Sequence, residues 1–462
     1  MAELSYKWKR FWYSRGTTVD LSDSGYLTDP DLRGYLYNPN LVSFEMIANT
    51  PCLVLIGEPG IGKTTAIKEA LKQVPEEEEK DDFELGDYGS DDALCNAIFR
   101  TTKFQAWIDG THQLHLFLDS FDEGCLLIKN LAKILERELK VQKISDNCNR
   151  LKFRISCRTN DWSLVLEKTL KELWGENDVG IYQIAPLRRV DVIEAATVNN
   201  LDYNHFLQEI DNRDTVPLAI MPISLKFLLK RYNQNQQLPK SQKELYLDGC
   251  EYLCRENNAD RTEAKFLPNL SPKQLLIVAA RIAAVTIFCN RAAICKNLEL
   301  CSAEDDVDIE ELGGSKEKTE ENLFSITRNE IEETLGTALF SSVSIRHSLA
   351  NTHLPANTHR IGFAHKTYAE FLAAWYLEQN QMSLPQIMSL IQHPDGNLIP
   401  QLHETAAWLA NLLPNVFREI MKSDPDVLLK SDVANANVED KKRLVETLLK
   451  LYDEEKLLEP HL

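Results

Sequence analysis

The sequence predicts an α/β domain, with a parallel sheet covered by helices on both faces, followed by mostly α-helical domains. Between residue 51 and about residue 187, short apolar runs alternate with longer helical stretches. This alternation is typical of a parallel sheet with crossover helices. From about residue 188 the strand signals largely stop and helical patterns take over.

Five short runs predict the strands of the sheet: Cys52–Ile56, Phe83–Leu85, His115–Leu118, Phe153–Cys157 and Ile181–Ile184. The stretches between them predict helices over 63–73, 91–107, 126–141 and 162–174. The mainly acidic run at 75–82 predicts a solvated loop, because a block of like charges avoids burial.

After the sheet domain, helical patterns are found at 191–200, 203–210, 222–232, 240–257, 272–289, 329–336, 365–379, 406–413 and 416–422. The acidic stretch at 302–323 contains two adjacent glycines and predicts a mobile loop. We therefore expect five segments: an N-terminal arm at 1–45, the sheet domain at 46–187, helical domains at 188–265 and 266–380, and a helical C-terminal segment at 381–462.

The composition is that of a globular chain. It has 462 residues, 44% of them hydrophobic and 26% charged, and a formal net charge of −19. A chain this acidic repels phosphate backbones, so a nucleic-acid partner is not expected. It has no apolar run of about 18 residues and no secretory signal, so we expect no membrane partner and a cytoplasmic location. Several cysteines lie inside apolar runs (Cys52, Cys157, Cys289), a pattern typical of buried reduced thiols, and because none of the ten cysteines forms a Cys-x-x-Cys pair a zinc site is not expected.

Basic and aromatic residues interleave near the start of the chain, from Tyr6 to Arg15. One interpretation is a contact with nucleic acid or lipid. The other is an arm whose aromatic side chains pack on its own domain or on a partner. The second is favoured, because ten residues in an acidic chain make a small footprint.

The strongest motif follows the first predicted strand. Residues 57–64 read Gly-Glu-Pro-Gly-Ile-Gly-Lys-Thr and fit G-x-x-x-x-G-K-[ST], with a strand before and a helix after. In this motif backbone N–H groups surround the phosphates of a nucleotide at a helix N-terminus. Lys63 would reach the β- and γ-phosphates, and the Thr64 hydroxyl would bind Mg²⁺. The predicted nucleotide-binding residues here are Gly57, Glu58, Pro59, Gly60, Ile61, Gly62, Lys63, Thr64 and Thr65.

A second motif is an apolar run that ends in acidic residues. Asp119 directly follows His115–Leu118, and Asp122 and Glu123 come shortly after it. Asp119 would bind Mg²⁺ directly or through water. Asp122 or Glu123 could orient or deprotonate the attacking water, and the sequence does not separate their roles.

Arg158 follows a third apolar run, Phe153–Cys157. The carboxyl ends of parallel strands open on the ligand crevice of such a sheet. Arg158 would then read the γ-phosphate or neutralise charge that develops during hydrolysis. The alternative is an arginine in a surface loop.

The run from Asp119 to Glu123 resembles the Walker B motif of NACHT modules, and Ile155–Arg158 is similar to their sensor 1 strand. NACHT modules belong to the STAND class of signalling nucleoside triphosphatases, which includes animal NOD-like receptors and many bacterial anti-phage proteins. The resemblance spans roughly residues 45–380. It implies that 46–187 is a P-loop nucleotide-binding domain that binds ATP or ADP with Mg²⁺, and that Arg158 is the sensor 1 arginine.

Two later segments extend the resemblance. Pro217–Ile223 resembles a segment whose proline packs near the adenine, which implies Pro222, or else Pro217, in that role. Phe363–Ala374 is similar to the winged-helix segment of the family, so 266–380 is implied to be a winged-helix-like domain. There His365 occupies the position of a histidine that contacts the β-phosphate of ADP, although a histidine beside apolar residues is more often structural.

The function implied by the resemblance is a low-turnover regulatory ATPase that forms homo-oligomers when activated, in bacterial antiviral signalling of the Avs type. A protein trigger, such as a phage protein, would be sensed by a region that is absent or incomplete here. We therefore expect the chain to be the core of a larger protein or to act with separate chains. A rival interpretation is an AAA+-like ATPase that cycles continuously and remodels a protein partner. A third, a small-molecule phosphotransferase, lacks any sign of an acceptor pocket or lid.

Overall fold

The computed structural model describes residues 6, 8–32, 36–128, 130–142, 144–255, 270–296, 305–319, 323–343, 360–431, 433 and 436–453. The chain divides into two compact units. Unit 1 comprises residues 1–237, 255–269 and 336–361, and unit 2 comprises residues 238–254, 270–335 and 362–462.

Unit 1 is built on a seven-stranded sheet. Its strands are β1 Phe11–Ser14, β2 Leu41–Ser43, β3 Cys52–Gly57, β4 Glu79–Glu84, β5 Leu114–Asp119, β6 Leu151–Arg158 and β7 Val179–Ile184. Their order across the sheet is β2-β1-β7-β3-β6-β5-β4. The strands from β7 to β4 are parallel, whereas β1 pairs antiparallel with both of its neighbours. The sheet is therefore mixed, with the predicted parallel sheet as its larger part.

The inner strands are apolar because both faces of the sheet are covered. All six residues of β3 are buried, and in β6 only Lys152 is less than fully buried. Their side chains join a core that includes Phe104, Trp107 and Phe153. The predicted strands at β3, β5, β6 and β7 are confirmed, each lying within the observed strand.

The strand predicted at Phe83–Leu85 corresponds to β4, Glu79–Glu84, but its bounds and the loop predicted before it were wrong. This strand begins at Glu79, so half of the charged run at 75–82 is a strand and not a solvated loop. It lies at the edge of the sheet and pairs only with β5. An edge strand can expose polar side chains to water, so it needs no apolar run to mark it.

Two stretches of the predicted N-terminal arm, β1 and β2, are strands of the same sheet. Trp12 of β1 pairs with Ile184 of β7, and both Phe11 and Trp12 are buried. For these two aromatic residues, packing on their own domain is confirmed. The strand was not predicted because four residues are too few to establish an alternating pattern.

The helices of unit 1 are α1 Phe44–Ile47, α2 Lys63–Gln73, α3 Asp91–Ile98, α4 Thr102–Asp109, α5 Phe121–Leu127, α6 Leu131–Val141, α7 Leu164–Trp174, α8 Arg189–Val198, α9 Tyr203–Asn212, α10 Val216–Ala219 and α11 Pro222–Asn235. The predicted helices at 91–107 and 126–141 are each interrupted. Thr101 caps the N-terminus of α4 through its side chain. Asn130 has φ +60° at the start of α6, a left-handed conformation that asparagine tolerates.

Unit 2 is mainly helical, with α12 Gln242–Leu253, α13 Pro272–Phe288, α14 Arg328–Leu335, α15 Lys366–Gln379, α16 Leu384–Ile391, α17 His403–Leu412, α18 Pro414–Ser423 and α19 Val438–Asp453. Tyr246, Phe371 and Trp408 join α12, α15 and α17 through ring contacts, with centroids 4.9–5.6 Å apart. No helix in the described part of the chain has the length and hydropathy needed to cross a membrane.

Unit 2 also contains the short strands β8 Ala293–Cys295, β9 Asp306–Asp308, β10 Ser315–Lys318 and β11 Leu323–Ile326. The strand β12 Phe340–Ser342 belongs to unit 1, and β13 Arg360–Phe363 is divided between the two units. The described part of the predicted loop at 302–323 thus contains two strands, which corrects that prediction. The buried Glu317 carboxylate in β10 binds Tyr376 Oη at 2.6 Å and lies 3.2 Å from Arg281 Nη1. Side-chain bonds of this kind stabilise the segment and leave no apolar pattern in the sequence.

Candidate nucleotide site

The glycine loop, residues 57–62, connects β3 to α2. Gly60 has φ +72° and Gly62 has φ +105°, which residues with side chains rarely adopt. Among the described residues, no backbone carbonyl accepts a hydrogen bond from the N–H of either glycine. Gly62 is the N-cap of α2, where free N–H groups and the helix dipole attract anions. The glycine loop therefore has the geometry of an anion-binding site.

Two apolar side chains pack directly against the glycine loop. A Cβ atom on Gly57 would lie 2.8 Å from Ile184 Cγ2, at the end of β7. A Cβ atom on Gly60 would lie 2.7 Å from Ile223 Cβ, in the first turn of α11. The position of the glycine loop is therefore fixed by β7 and α11 as well as by its own strand and helix.

Lys63, the first residue of α2, folds back over the glycine loop. Its Nζ donates to the carbonyl oxygens of Gly57 at 2.7 Å and Glu58 at 3.1 Å. Burial lowers the pKa of Lys63, and the charge of Asp122 opposes that shift. Burial also raises the pKa of Glu58. The buried ammonium group of Lys63, next to an anion-binding site, is suited to bind a phosphate oxygen.

Asp119 is the last residue of β5 and is buried. Its Oδ1 accepts hydrogen bonds from the backbone N–H of Ser120 at 3.0 Å and from the Ser156 hydroxyl. Its Oδ2 is buried and has no hydrogen-bond donor among the described residues. A buried carboxylate oxygen without a partner is costly, and a cation would remove that cost. Asp119 therefore fits a ligand of Mg²⁺.

A magnesium ion here would need ligands besides the protein carboxylate. In the ranges that the structure describes, no group of three histidine, cysteine, aspartate or glutamate side chains is arranged to hold a metal ion. The remaining ligands would be the Thr64 hydroxyl, water and nucleotide phosphates, which is common for this ion. Thr64 is the second residue of α2 and is partly buried, whereas Thr65 is exposed.

Arg158 and Asp122 form a buried ion pair. Arg158 ends β6 and its Nε lies 2.9 Å from Asp122 Oδ2, in the first turn of α5. Arg158 Nη1 also donates to the Gly336 carbonyl at 3.0 Å. The neighbouring Glu123 is buried, with Oε2 3.3 Å from where a Cβ atom on Gly86 would lie. Arg158 is thus a fixed residue of the site and not part of an exposed surface loop.

The sequence analysis missed Glu84. This residue ends β4 and lies opposite Asp119 in the register of the two parallel strands. Burial raises the pKa of Glu84 to about 7, a hydrogen bond with Ser120 opposes the shift, and the charge of Asp119 adds to it. An acidic residue at the carboxyl end of a strand would have marked Glu84 as a candidate site residue. The predicted strand ended one residue later, at Leu85, so Glu84 was placed inside the strand.

Pro222 is the first residue of α11 and is buried. Its chain neighbour Ile223 contacts Gly60, so the N-terminus of α11 lies at the glycine loop. Pro217 is the second residue of the short helix α10 and is also buried. Of the two prolines, Pro222 is the one directly linked to a residue that contacts the glycine loop.

His365 belongs to unit 2 and is the N-cap of α15. Its Nδ1 accepts a hydrogen bond from the backbone N–H of Thr367 at 3.2 Å. Burial lowers the pKa of His365 to about 4. Near pH 7 the ring is therefore neutral, and because Nδ1 is an acceptor, the proton resides on Nε2.

The strand order, the glycine loop between β3 and α2 and the acidic end of β5 define the fold of a P-loop nucleoside triphosphatase. No protein-family model matches the chain, and no curated protein matches its sequence.

Several solved structures are similar at low identity. Cdc6p from Pyrobaculum aerophilum is 14% identical, with 53% of this chain and 72% of that chain covered and a TM-score of 0.30. The RuvB Holliday junction branch migration motor of Thermotoga maritima is 15% identical, with coverages of 52% and 72% and a TM-score of 0.28. A Walker-type ATPase of Pyrococcus abyssi is 14% identical, with coverages of 51% and 76% and a TM-score of 0.31. Similarity at this level carries no argument about activity, so the functional assignment depends on the site.

Proposed function

We propose that this chain is a NACHT-type STAND nucleoside triphosphatase, a switch that binds ATP or ADP with Mg²⁺ and hydrolyses ATP slowly. The proposal rests on two sets of polar groups that lack hydrogen-bond partners in the part of the chain that the structure describes, one in the glycine loop and one in Asp119. The glycine loop has N–H groups of Gly60 and Gly62 without backbone acceptors, and Asp119 has a buried carboxylate oxygen without a donor, both within the described residues. Phosphate and Mg²⁺ are the ligands that satisfy these two needs together.

In this proposal the glycine loop, Lys63 and Thr65 bind the phosphates, while Thr64 and Asp119 bind Mg²⁺. The Lys63 ammonium would exchange its carbonyl acceptors for phosphate oxygens. The bound ion would supply charge neutralisation for the phosphates. The neutralised phosphates can then be approached by a water molecule.

The ion pair with Arg158 separates the roles of the two acidic residues after Asp119. Asp122 is occupied by Arg158, so we assign it the role of positioning that arginine near the γ-phosphate. Glu123 is then the carboxylate that orients or deprotonates the attacking water. Both assignments depend on ATP binding in the glycine loop.

Pro222 and His365 would complete the ADP-bound state. The contact of Ile223 with Gly60 supports a position for Pro222 close to the nucleotide. The neutral ring of His365, with its proton on Nε2, supports a role as hydrogen-bond donor to a phosphate oxygen. ADP would stabilise one arrangement of the chain and ATP another, because a ligand favours the state that it binds better.

The domain roles follow the family resemblance: nucleotide-binding domain at 46–187, helical domain at 188–265, winged-helix-like domain at 266–380 and helical C-terminal segment at 381–462. A protein trigger, such as a phage protein, would release the ADP-bound state, and the ATP-bound chain would form homo-oligomers in antiviral signalling. The AAA+-like remodelling ATPase remains the second candidate. It too would bind its nucleotide at the carboxyl ends of the parallel strands, so the residues described here fit both candidates.

The experiment that tests this proposal identifies the nucleotide that copurifies with the chain. The purified chain is denatured, and the supernatant is separated by anion-exchange chromatography. ADP at close to one equivalent supports the switch. An empty site with rapid ATP turnover supports the cycling ATPase, and a chain that binds neither ATP nor ADP contradicts both.

A further inference from the structure

Arg10, which belongs to the basic and aromatic run and directly precedes β1, contacts the glycine loop. Its Nη1 donates to the Ile61 carbonyl at 2.8 Å, and its Nη2 donates to the Ala185 carbonyl at 2.5 Å. A Cβ atom on Gly62 would lie 3.2 Å from the same Nη1. The guanidinium group thus bridges the glycine loop and the residue that follows β7.

This contact fixes the orientation of one peptide group. The carbonyl of Ile61 and the N–H of Gly62 belong to the same peptide, which is trans like all described peptides. In a trans peptide these two groups point in opposite directions. Because Arg10 holds the Ile61 carbonyl on its own side, the Gly62 N–H must point away from Arg10. That N–H has no backbone acceptor among the described residues, so it is available to an anion.

The chain on either side of Arg10 is itself firmly held. The Ala185 N–H donates to the Phe11 carbonyl at 2.9 Å, next to the Arg10 contact with the same alanine. Trp8 Nε1 donates to the Asp191 carbonyl at 2.8 Å in α8. The guanidinium group therefore projects from a fixed backbone, which a positioning residue requires.

The charge of Arg10 persists at neutral pH. Burial lowers the pKa of Arg10 to about 10, Asp191 opposes this shift and Arg188 adds to it. The Arg188 charge is itself balanced, because its Nη2 lies 2.8 Å from Asp191 and its Nη1 3.2 Å from Asp29. The planar guanidinium directs two separate nitrogens at the carbonyls of Ile61 and Ala185, a fixed geometry that the single ammonium group of a lysine does not have.

We propose that Arg10 is a positioning residue of the nucleotide site, which holds the Ile61–Gly62 peptide so that the Gly62 N–H faces the phosphates of the nucleotide. This inference rests on the proposed function, because it requires a nucleotide in the glycine loop. Arg10 does not touch the nucleotide in this arrangement. It prepares the glycine loop before binding.

The test compares two buried arginines. Arg154 also donates to backbone carbonyls, those of Pro51 and Phe153 at 3.0 Å, but at the opposite ends of β3 and β6. Burial lowers its pKa to about 10, as for Arg10. Arg154→Met is therefore a matched control that removes a similar contact away from the site.

We expect Arg10→Met to weaken ADP binding about tenfold by titration calorimetry, the effect of losing one charge-assisted hydrogen bond. Arg154→Met should lower the thermal midpoint and leave ADP affinity unchanged. Without nucleotide, amide hydrogen exchange in residues 57–64 should be faster in Arg10→Met than in Arg154→Met, a readout that general destabilisation would not give.

Arg10→Lys covers the case in which Arg10→Met does not fold. It keeps the charge but loses the planar fork whose two nitrogens reach the Ile61 and Ala185 carbonyls, so we expect ADP binding about threefold weaker than in the unmodified chain. Unmodified ADP affinity in Arg10→Met or Arg10→Lys overturns the inference, and so does an equal loss in Arg154→Met. If the unmodified chain does not bind ADP, the proposed function fails instead, and the two failures are distinct.

Discussion

Arg158 binds both carboxylate oxygens of Asp122. Its backbone N–H donates to Oδ1 at 3.0 Å, and its side-chain Nε lies 2.9 Å from Oδ2. The contact joins the carboxyl end of β6 to the first turn of α5, and both side chains are buried. Asp122 is therefore part of the framework that positions Arg158, which separates it from the adjacent Glu123.

The first prediction is that Asp122 and Glu123 respond differently to removal of their charge. Glu123→Gln should lower the rate of ATP hydrolysis at least about 100-fold, because it removes a general base. Its free energy of unfolding should change little. Asp122→Asn should instead lower the free energy of unfolding by about 3 kcal/mol, because it removes the negative charge that binds the buried Arg158 guanidinium. Phosphate release and chemical denaturation measure the two effects.

Both variants should still bind ATP, and this is the internal control for an intact glycine loop. Hydrolysis that continues in Glu123→Gln at the unmodified rate would move the base to another carboxylate. Glu84, opposite Asp119, would then be the next residue to change.

The second prediction concerns Lys63. Lys63→Ala should weaken ATP and ADP binding by about 100-fold or more, since two charged contacts to phosphate are lost. Lys72→Ala is the matched control, because Lys72 lies on the same helix α2, is exposed and pairs with Glu69 at 2.6 Å. The control should bind both nucleotides like the unmodified chain in calorimetry. Equal affinities in the two variants would contradict the role of the glycine loop.

The parts of the site that lie along one stretch of chain could be predicted from the sequence. The run from Cys52 to Thr64 gives a buried strand, a glycine loop and a helix start within consecutive residues. Asp119 was placed for the same reason, because the strand before it is apolar on both faces. In both segments the apolar pattern that predicts the strand and the residues that predict the ligand lie next to each other in the sequence.

Contacts between distant segments could not be predicted in this way. Arg10 and Ile61 are 51 positions apart, and no periodicity connects them. Glu84 ends an edge strand whose charged residues resemble a loop. The contact of Ile223 with Gly60 depends on where α11 packs, which is decided by the tertiary structure and leaves no local signal.

The third prediction tests that last contact. Gly60→Ala would place a Cβ atom 2.7 Å from Ile223 Cβ and would force a side chain into φ +72°. The second effect alone costs about 1–2 kcal/mol. We expect Gly60→Ala to weaken ADP binding and to lower the thermal midpoint, because the glycine loop and the start of α11 must move apart.

A double-mutant cycle with Ile223→Gly, which removes the Cβ atom as well as the rest of the side chain, separates the two causes. With glycine at position 223 no Cβ atom faces residue 60, so the clash is relieved but the backbone strain stays, and the double variant should recover part of the ADP affinity. We expect a coupling free energy of about 1–2 kcal/mol between the two sites. Strictly additive effects would mean that α11 does not restrain the glycine loop.

The last prediction uses the pH dependence of His365. Its pKa is about 4 in the folded chain and about 6.5 when unfolded, so between these values the unfolded chain binds more protons. Stability that is present above pH 6.5 is therefore lost as the pH falls toward 4, by up to about 2 kcal/mol at pH 5. His365→Gln should remove this part of the loss. His393→Gln, at an exposed histidine of the same unit, should not. Thermal midpoints of the three chains at pH 7 and pH 5 measure the difference, and parallel losses in all three would mean that His365 is not held neutral by burial.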